Sequence, residues 1–84
     1  MSEKIPSDEI LLNLMKEGDL NSFNTLFERY WKRLYATVFS VCSDNETSSE
    51  IVHDIFLNLW LRREKLQIEN FKGYITASAR YQIY

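Results

Sequence analysis

The chain has two glycines, one proline, one cysteine and one histidine among its 84 residues, and each scarcity removes a class of explanation. With so little glycine and proline and 45% hydrophobic residues, the composition fits a compact helical globule and not a disordered or low-complexity tail. Cys42 has no cysteine to pair with, and its neighbours Val38, Phe39 and Val41 favour a buried thiol. A single histidine leaves no Cys/His cluster at metal spacing. There is also no Gly-rich phosphate loop and no nucleophile elbow. No apolar run approaches the roughly 20 residues of a membrane span, and Met1-Ser2-Glu3-Lys4 lacks the basic-then-apolar order of a signal peptide. The expectation is a cytoplasmic, non-enzymatic protein with no cofactor and no metal. Its length suits one domain, near the lower limit at which a core sustains itself without staples.

What the sequence does contain is helical periodicity. Pro6-Ser7 followed by Asp8-Glu9 reads as a helix start, with Ser7 as cap and acids in the first turn. Ile10, Leu11, Leu14 and Met15 keep helical spacing up to Gly18. A cap at Asp19 or Asn21 opens a longer helix to about Cys42, which would measure about 33 Å at 1.5 Å per residue. Phe23, Leu26, Phe27, Tyr30, Leu34, Val38 and Val41 form one stripe along it, and Trp31, Tyr35, Phe39 and Cys42 form a second. Two stripes require neighbours on two sides. Ser43-Asp44-Asn45 breaks the pattern, and Asp44 or Ser43 can cap a third helix expected to reach about Leu66. After a linker over 67–70, Asn70 caps a fourth helix, still in progress at Tyr84. No alternating strand pattern competes. The predicted fold class is all-α, a compact bundle of about four helices with Phe27, Tyr30, Leu34, Phe56 and Leu59 buried together. The unfinished last helix suggests a piece of something longer.

The net charge of −2 is unevenly distributed. From Asp44 to Asp54 there are four acids and no Lys or Arg, whereas from Arg62 to Tyr84 five bases face two acids, a local +3. An acidic end and a basic end imply two different partners.

Residues 50–60 sharpen the acidic half. At about 100° per residue, Ile51, Val52, Ile55, Phe56 and Leu59 gather on one side of a helix. The other side carries Glu50, His53, Asp54 and Asn58, with Leu57 and Leu61 set among them. An ordinary solvated face would not hold two leucines between acids, so this side is read as a docking surface for a second protein. His53 and Asp54 are adjacent and point about 100° apart, which prevents a catalytic dyad. Glu50 and Asp54 lie one turn apart but lack the further ligands that a cation needs.

The basic half has its own signature. Phe71, Tyr74, Tyr81 and Tyr84 are interleaved with Lys72 and Arg80. Rings supply stacking faces for bases, and the charges attract phosphates. The competing reading is an amphipathic last helix that simply packs on the bundle.

Together these blocks resemble a known family. Asp19-Leu-Asn-Ser-Phe23, Leu26-Phe-Glu-Arg-Tyr30-Trp31 and Leu34-Tyr35 come first. Glu50-Ile-Val-His-Asp-Ile-Phe56-Leu-Asn-Leu-Trp60 follows, then Asn70-Phe-Lys-Gly-Tyr74-Ile75 and Ala79-Arg80. In this order and spacing they resemble the N-terminal region 2 domain of bacterial RNA polymerase sigma factors, in particular the extracytoplasmic-function group, over about Ile10 to Tyr84. The resemblance implies a helical bundle whose third helix docks on the clamp-helix coiled coil of the largest polymerase subunit. Glu50, His53, Asp54, Leu57, Asn58 and Leu61 are then the polymerase-binding residues. Glu50 stands where the family usually has Asp, and His53 where it usually has Gln.

The resemblance also implies that the linker and last helix open the promoter −10 element and hold its non-template strand. Lys65, Asn70, Phe71, Lys72, Tyr74, Arg80, Tyr81 and Tyr84 become the DNA-binding candidates. Tyr81 replaces the Asn of the family's Ala-Arg-Asn. The whole of 1–84 is then one region 2 domain, without the helix-turn-helix domain that reads the −35 element, and an anti-sigma factor is a further expected partner. The rival expectation is a helical protein-interaction adaptor with no nucleic-acid role.

Overall fold

The computed structural model describes residues 6–83. Four helices follow in order, α1 (Asp8–Lys16), α2 (Leu20–Cys42), α3 (Asn45–Leu61) and α4 (Phe71–Ile83), and no strand occurs among the described residues. The all-α expectation holds.

Each start has a chemical cause. The Ser7 hydroxyl accepts from the Ile10 N–H at 3.2 Å, and Asp8, Glu9 and Lys16 sit at the ends of α1 where the helix dipole favours them. Gly18, at φ +96°, closes α1 by donating to the Met15 carbonyl. Asp19 occupies the cap position of α2, but its carboxylate accepts from the Ser22 hydroxyl and not from the backbone. α2 ends at Ser43, whose N–H reaches the Phe39 carbonyl at 2.8 Å with the residue in the left-handed region at φ 56°. Asp44 then caps α3, accepting from the Thr47 N–H at 2.8 Å. Hydrogen bonds from the Thr47 side chain and backbone hold the Asp44 carboxyl below its ordinary range. The Asn70 side chain caps α4 by accepting from the Gly73 N–H at 3.1 Å.

α2 is the central element, packed against each of the other three helices. Its buried side chains are Ser22, Leu26, Tyr30, Leu34 and Val38. They meet Leu11, Leu12 and Met15 of α1, Val52, Ile55, Phe56 and Leu59 of α3, and Phe71, Ile75 and Ala79 of α4 in one core. Phe23 and Phe27 are only half-buried and form an aromatic rim toward α3. Phe27 lies edge-on to Phe56 at 4.8 Å, and Phe23 is tilted against Trp60 at 5.1 Å.

The structure departs from the sequence expectation in α1, along α2 and at the end of α3. In α1 Leu12 is buried beside Leu11 and Met15, while Ile10 and Leu14 face outward. Val41 and Phe39, expected in the first and second stripes of α2, are exposed, and Phe27, expected in the buried core, is half-buried at its rim. α3 stops at Leu61 and not near Leu66. After Leu61 the chain tightens into turns, with the Arg63 N–H on the Trp60 carbonyl and the Lys65 N–H on that of Arg62. The Arg63 guanidinium lies 4.1 Å from the Trp60 ring centre. Leu66 and Ile68 both pack on the core, and residues two apart share a side in extended chain, not in a helix.

One polar cluster ties three elements together. Asp8 pairs with Arg29 at 2.9 Å and accepts from the Tyr30 hydroxyl, while Arg29 also donates to the Pro6 carbonyl. The Tyr30 ring meets Phe71 edge-on at 5.3 Å. Burial, then the hydrogen bond to Asp8 and its negative charge, push the Tyr30 hydroxyl from 10.0 up to about 12. Folding thus favours the protonated phenol. Its contribution to stability is whole below pH 10 and is lost as pH rises through about 12. Tyr30→Phe should therefore flatten the fall in urea midpoint across that window, read by circular dichroism. An unchanged alkaline fall would show that this hydroxyl is not the coupled group.

Candidate nucleic-acid and partner interfaces

α3 turns its core residues toward α2 and α4, which leaves Glu50, His53, Asp54, Leu57, Asn58 and Leu61 all exposed. Leu57 is 53% and Leu61 66% exposed, large apolar groups that the fold itself does not use. The one ion pair among the described residues joins Asp8 to Arg29, so Glu50 and Asp54 show solvent an uncompensated negative line. No group of three or more His, Cys, Asp or Glu among the described residues is arranged to hold a metal ion.

The six residues do not form a single strip. His53 lies on the α2 flank, its ring parallel to Phe27 with centres 6.0 Å apart, and Phe27 in turn stacks on Trp31 at 6.4 Å. There His53 and Leu57 border an apolar hollow of about 230 Å³ with Leu20, Phe23, Phe56 and Trp60. Asn58 lies on the other flank, about 140° round the helix from His53. It borders a separate hollow with Arg62, Tyr74 and Tyr81. The outward centre of α3 is Glu50, Asp54, Leu57 and Leu61.

On α4, Phe71, Ile75 and Ala79 face the core. The opposite side holds a hollow of about 660 Å³ lined by Asn70, Lys72, Gly73, Thr76, Arg80 and Tyr81. Two cations and an exposed ring thus converge on one surface with a helix-capping amide. Such a surface can neutralise phosphates and stack a base. Tyr74 is half-buried and packed against the core, and borders the α3–α4 hollow. Lys65 is exposed in the connection 62–70 and does not line either of these hollows.

A model of the sigma-70 region 2 family matches residues 26–84. The chain belongs to that family. No curated protein matches the chain, and no solved structure does. In sigma factors, region 2 serves core RNA polymerase binding and promoter recognition, and domains of this kind are not enzymes. The match takes in most of α2 and all of α3 and α4, hence both surfaces described above, and leaves α1 outside. Among the described residues no helix is long and apolar enough to cross a membrane.

Within this region 2 domain, one sequence expectation is corrected. Phe71 is 4% exposed and packs edge-on against Tyr30. As the first residue of α4 it anchors the helix and offers no free face to a base. Its grouping with Lys72 rested on adjacency, but adjacent helical residues point about 100° apart. Tyr84 lies outside the described residues. Arg62, Ser78 and Gln82 were not singled out from sequence, yet they border the α3–α4 hollow. Only the charge of Arg62 signalled it, since nothing in the sequence says that the end of α3 meets α4. Phe71→Ala should destabilise the domain by about 3–5 kcal/mol, the usual loss for a buried phenylalanine. A thermal melt that hardly moved would return Phe71 to the surface.

Proposed function

We propose that this chain is the region 2 domain of an extracytoplasmic-function sigma factor, acting in the cytoplasm as a specificity module with no catalysis of its own. The outward centre of α3 docks on the clamp helices of the largest polymerase subunit. The outer side of α4 captures the non-template strand of a melted −10 element. The observation that carries this reading is the gathering of Lys72, Arg80 and Tyr81 round one hollow, on a different helix from the exposed Glu50, Asp54, Leu57 and Leu61. A plain protein adaptor has no need of the cationic, ring-bearing hollow. An anti-sigma factor would compete for one of these surfaces.

The division of labour follows from the chemistry of each face. Leu57 and Leu61 lose water on docking while Glu50 and Asp54 set orientation and approach rate, as charges at an interface do. Strand capture depends on stacking at Tyr81 and on phosphate contacts from Lys72 and Arg80. A chain of net charge −2 has little general attraction for duplex DNA.

Asp54→Lys and Leu57→Glu should each weaken core polymerase binding by about 2 kcal/mol or more, the size of a central interface contact. Pull-down and titration measure it, and circular dichroism should stay unchanged because both side chains are exposed. Lost helicity would mean that the residue serves the fold. For the other face, anisotropy titrations should give tighter binding to single-stranded than to duplex DNA of the same sequence. Lys72→Ala or Arg80→Ala should lower the salt slope by about 0.7 per lost phosphate contact. Equal affinity for both DNA forms would remove strand capture and leave the adaptor.

A further inference from the structure

The outward sides of α3 and α4 are opposite in charge and complementary in relief. On α3, Glu50, Asp54, Leu57 and Leu61 lie within about 60° of one another round the helix, and all four are exposed. On α4, Gly73 and Ala77 sit one turn apart in the outer hollow, with Lys72 at its start and Arg80 and Tyr81 at its end. The fold itself does not need that glycine. Its backbone is ordinary helix, and a Cβ there would meet only the Asn70 side chain, at a normal 3.6 Å. Glycine inside a helix is disfavoured against alanine. What the missing side chain provides is room for a close neighbour.

We propose that α3 of one copy of this chain seats in the α4 hollow of a second copy. The two helices run antiparallel, with Asp54 against Arg80, Leu57 over Ala77 and Leu61 over Gly73. The register follows from spacing. Intervals of three and four residues separate Asp54, Leu57 and Leu61, and the same intervals separate Arg80, Ala77 and Gly73 in reverse. Along either axis these are about 4.5 Å and 6 Å. Large side chains then meet small ones, and the acid meets the cation. Glu50 adds its charge one turn beyond Asp54. Lys72 arrives beside the C-terminal end of the seated helix, where the dipole favours a cation.

Charge selects this pairing over its rivals. Placing α3 on α3 would oppose Glu50 and Asp54 to themselves, and α4 on α4 would do the same to Lys72 and Arg80. None of these four has an internal ion pair, since the one among the described residues joins Asp8 to Arg29. Within a single molecule the two sides face away from the core on separate helices, so only a second copy brings them together. The contact covers Leu57, Leu61 and the 89% exposed Tyr81. It is also heterologous. Each joined copy keeps either a free α3 or a free α4, so growth continues past a pair unless a ring closes. Copies within such an assembly withdraw both faces from every other ligand.

Sedimentation equilibrium of the 84-residue chain tests the seating. At about 10 mM salt, where charges act over roughly 30 Å, the average mass should pass that of two chains as protein rises to about 1 mM. At about 1 M salt, with a range near 3 Å, it should fall back toward one chain. Asp54→Lys reverses charge on α3, and Gly73→Leu fills the hollow. Each variant should stay monomeric at low salt with unchanged circular dichroism, both positions being exposed. Mixed in equal amounts, they should form dimers and nothing larger. Only the intact α3 of the Gly73→Leu copy and the intact hollow of the Asp54→Lys copy can join. A wild-type chain that stays monomeric at low salt would overturn the seating. So would association that strengthens with salt, association retained by either variant, or a mixture that stays monomeric or grows beyond dimers. The polymerase and DNA readings survive each of those results, since neither requires a second copy.

Discussion

A helix repeats every 3.6 residues, so buried side chains set four apart drift round it by about 40° at each step. α2 buries Ser22, Leu26, Tyr30, Leu34 and Val38 at that interval, and the accumulated turn presents its core line to different neighbours at different heights. This is how one helix packs against three others. Tyr30, midway along the line, shows the constraint most directly. Its hydroxyl reaches Asp8 of α1 while its ring meets Phe71 of α4. The first residue of α4 is thereby fixed through a side chain that also holds the N-terminal helix. The family match begins at Leu26, so α1 contributes to region 2 geometry from outside the matched segment.

The bundle was legible in the sequence because its helices announce themselves locally. Ser7, Asp44 and Asn70 cap where their residue type predicts. Gly18 and the Ser43-Asp44 break stop the chain where left-handed backbone and polar side chains are expected. The end of α3 was not legible, because Leu66 continues the helical pattern of Leu59 on paper and its true constraint is the core it returns to. The inner side of α1 was likewise ambiguous. Ile10, Leu11, Leu12, Leu14 and Met15 are all apolar, and only contact with α2 and α4 selects Leu12 over Ile10 and Leu14.

The candidate surfaces were legible to the extent that they lie within one helix. The exposed acids and leucines of α3 follow from periodicity alone, as do Lys72 and Arg80 on α4. Surfaces assembled from two helices were not. Asn58 reads as a neighbour of Leu57, yet it opens toward Arg62, Tyr74 and Tyr81, and that grouping depends on how α4 crosses α3. Phe71 failed for the complementary reason. Its aromatic ring suited a base as well as a core, and the choice was made by Tyr30, far away in sequence.

The two connections flanking α3 differ greatly in reach. Ser43 and Asp44 join α2 to α3 directly, and Asn45 is held by the Tyr35 hydroxyl across that turn. α4 is attached through the longer stretch 62–70 and docks by contacts distant in sequence. Segments of this kind open at lower free energy than tight local pairs, as amide hydrogen exchange reveals in other domains. Transient undocking of α4 would erase the hollow between α3 and α4 while the α2–α3 hairpin still displayed its acidic leucine-bearing side. The surface shared by α3 and α4 and the outward side of α3 thus have separate lifetimes.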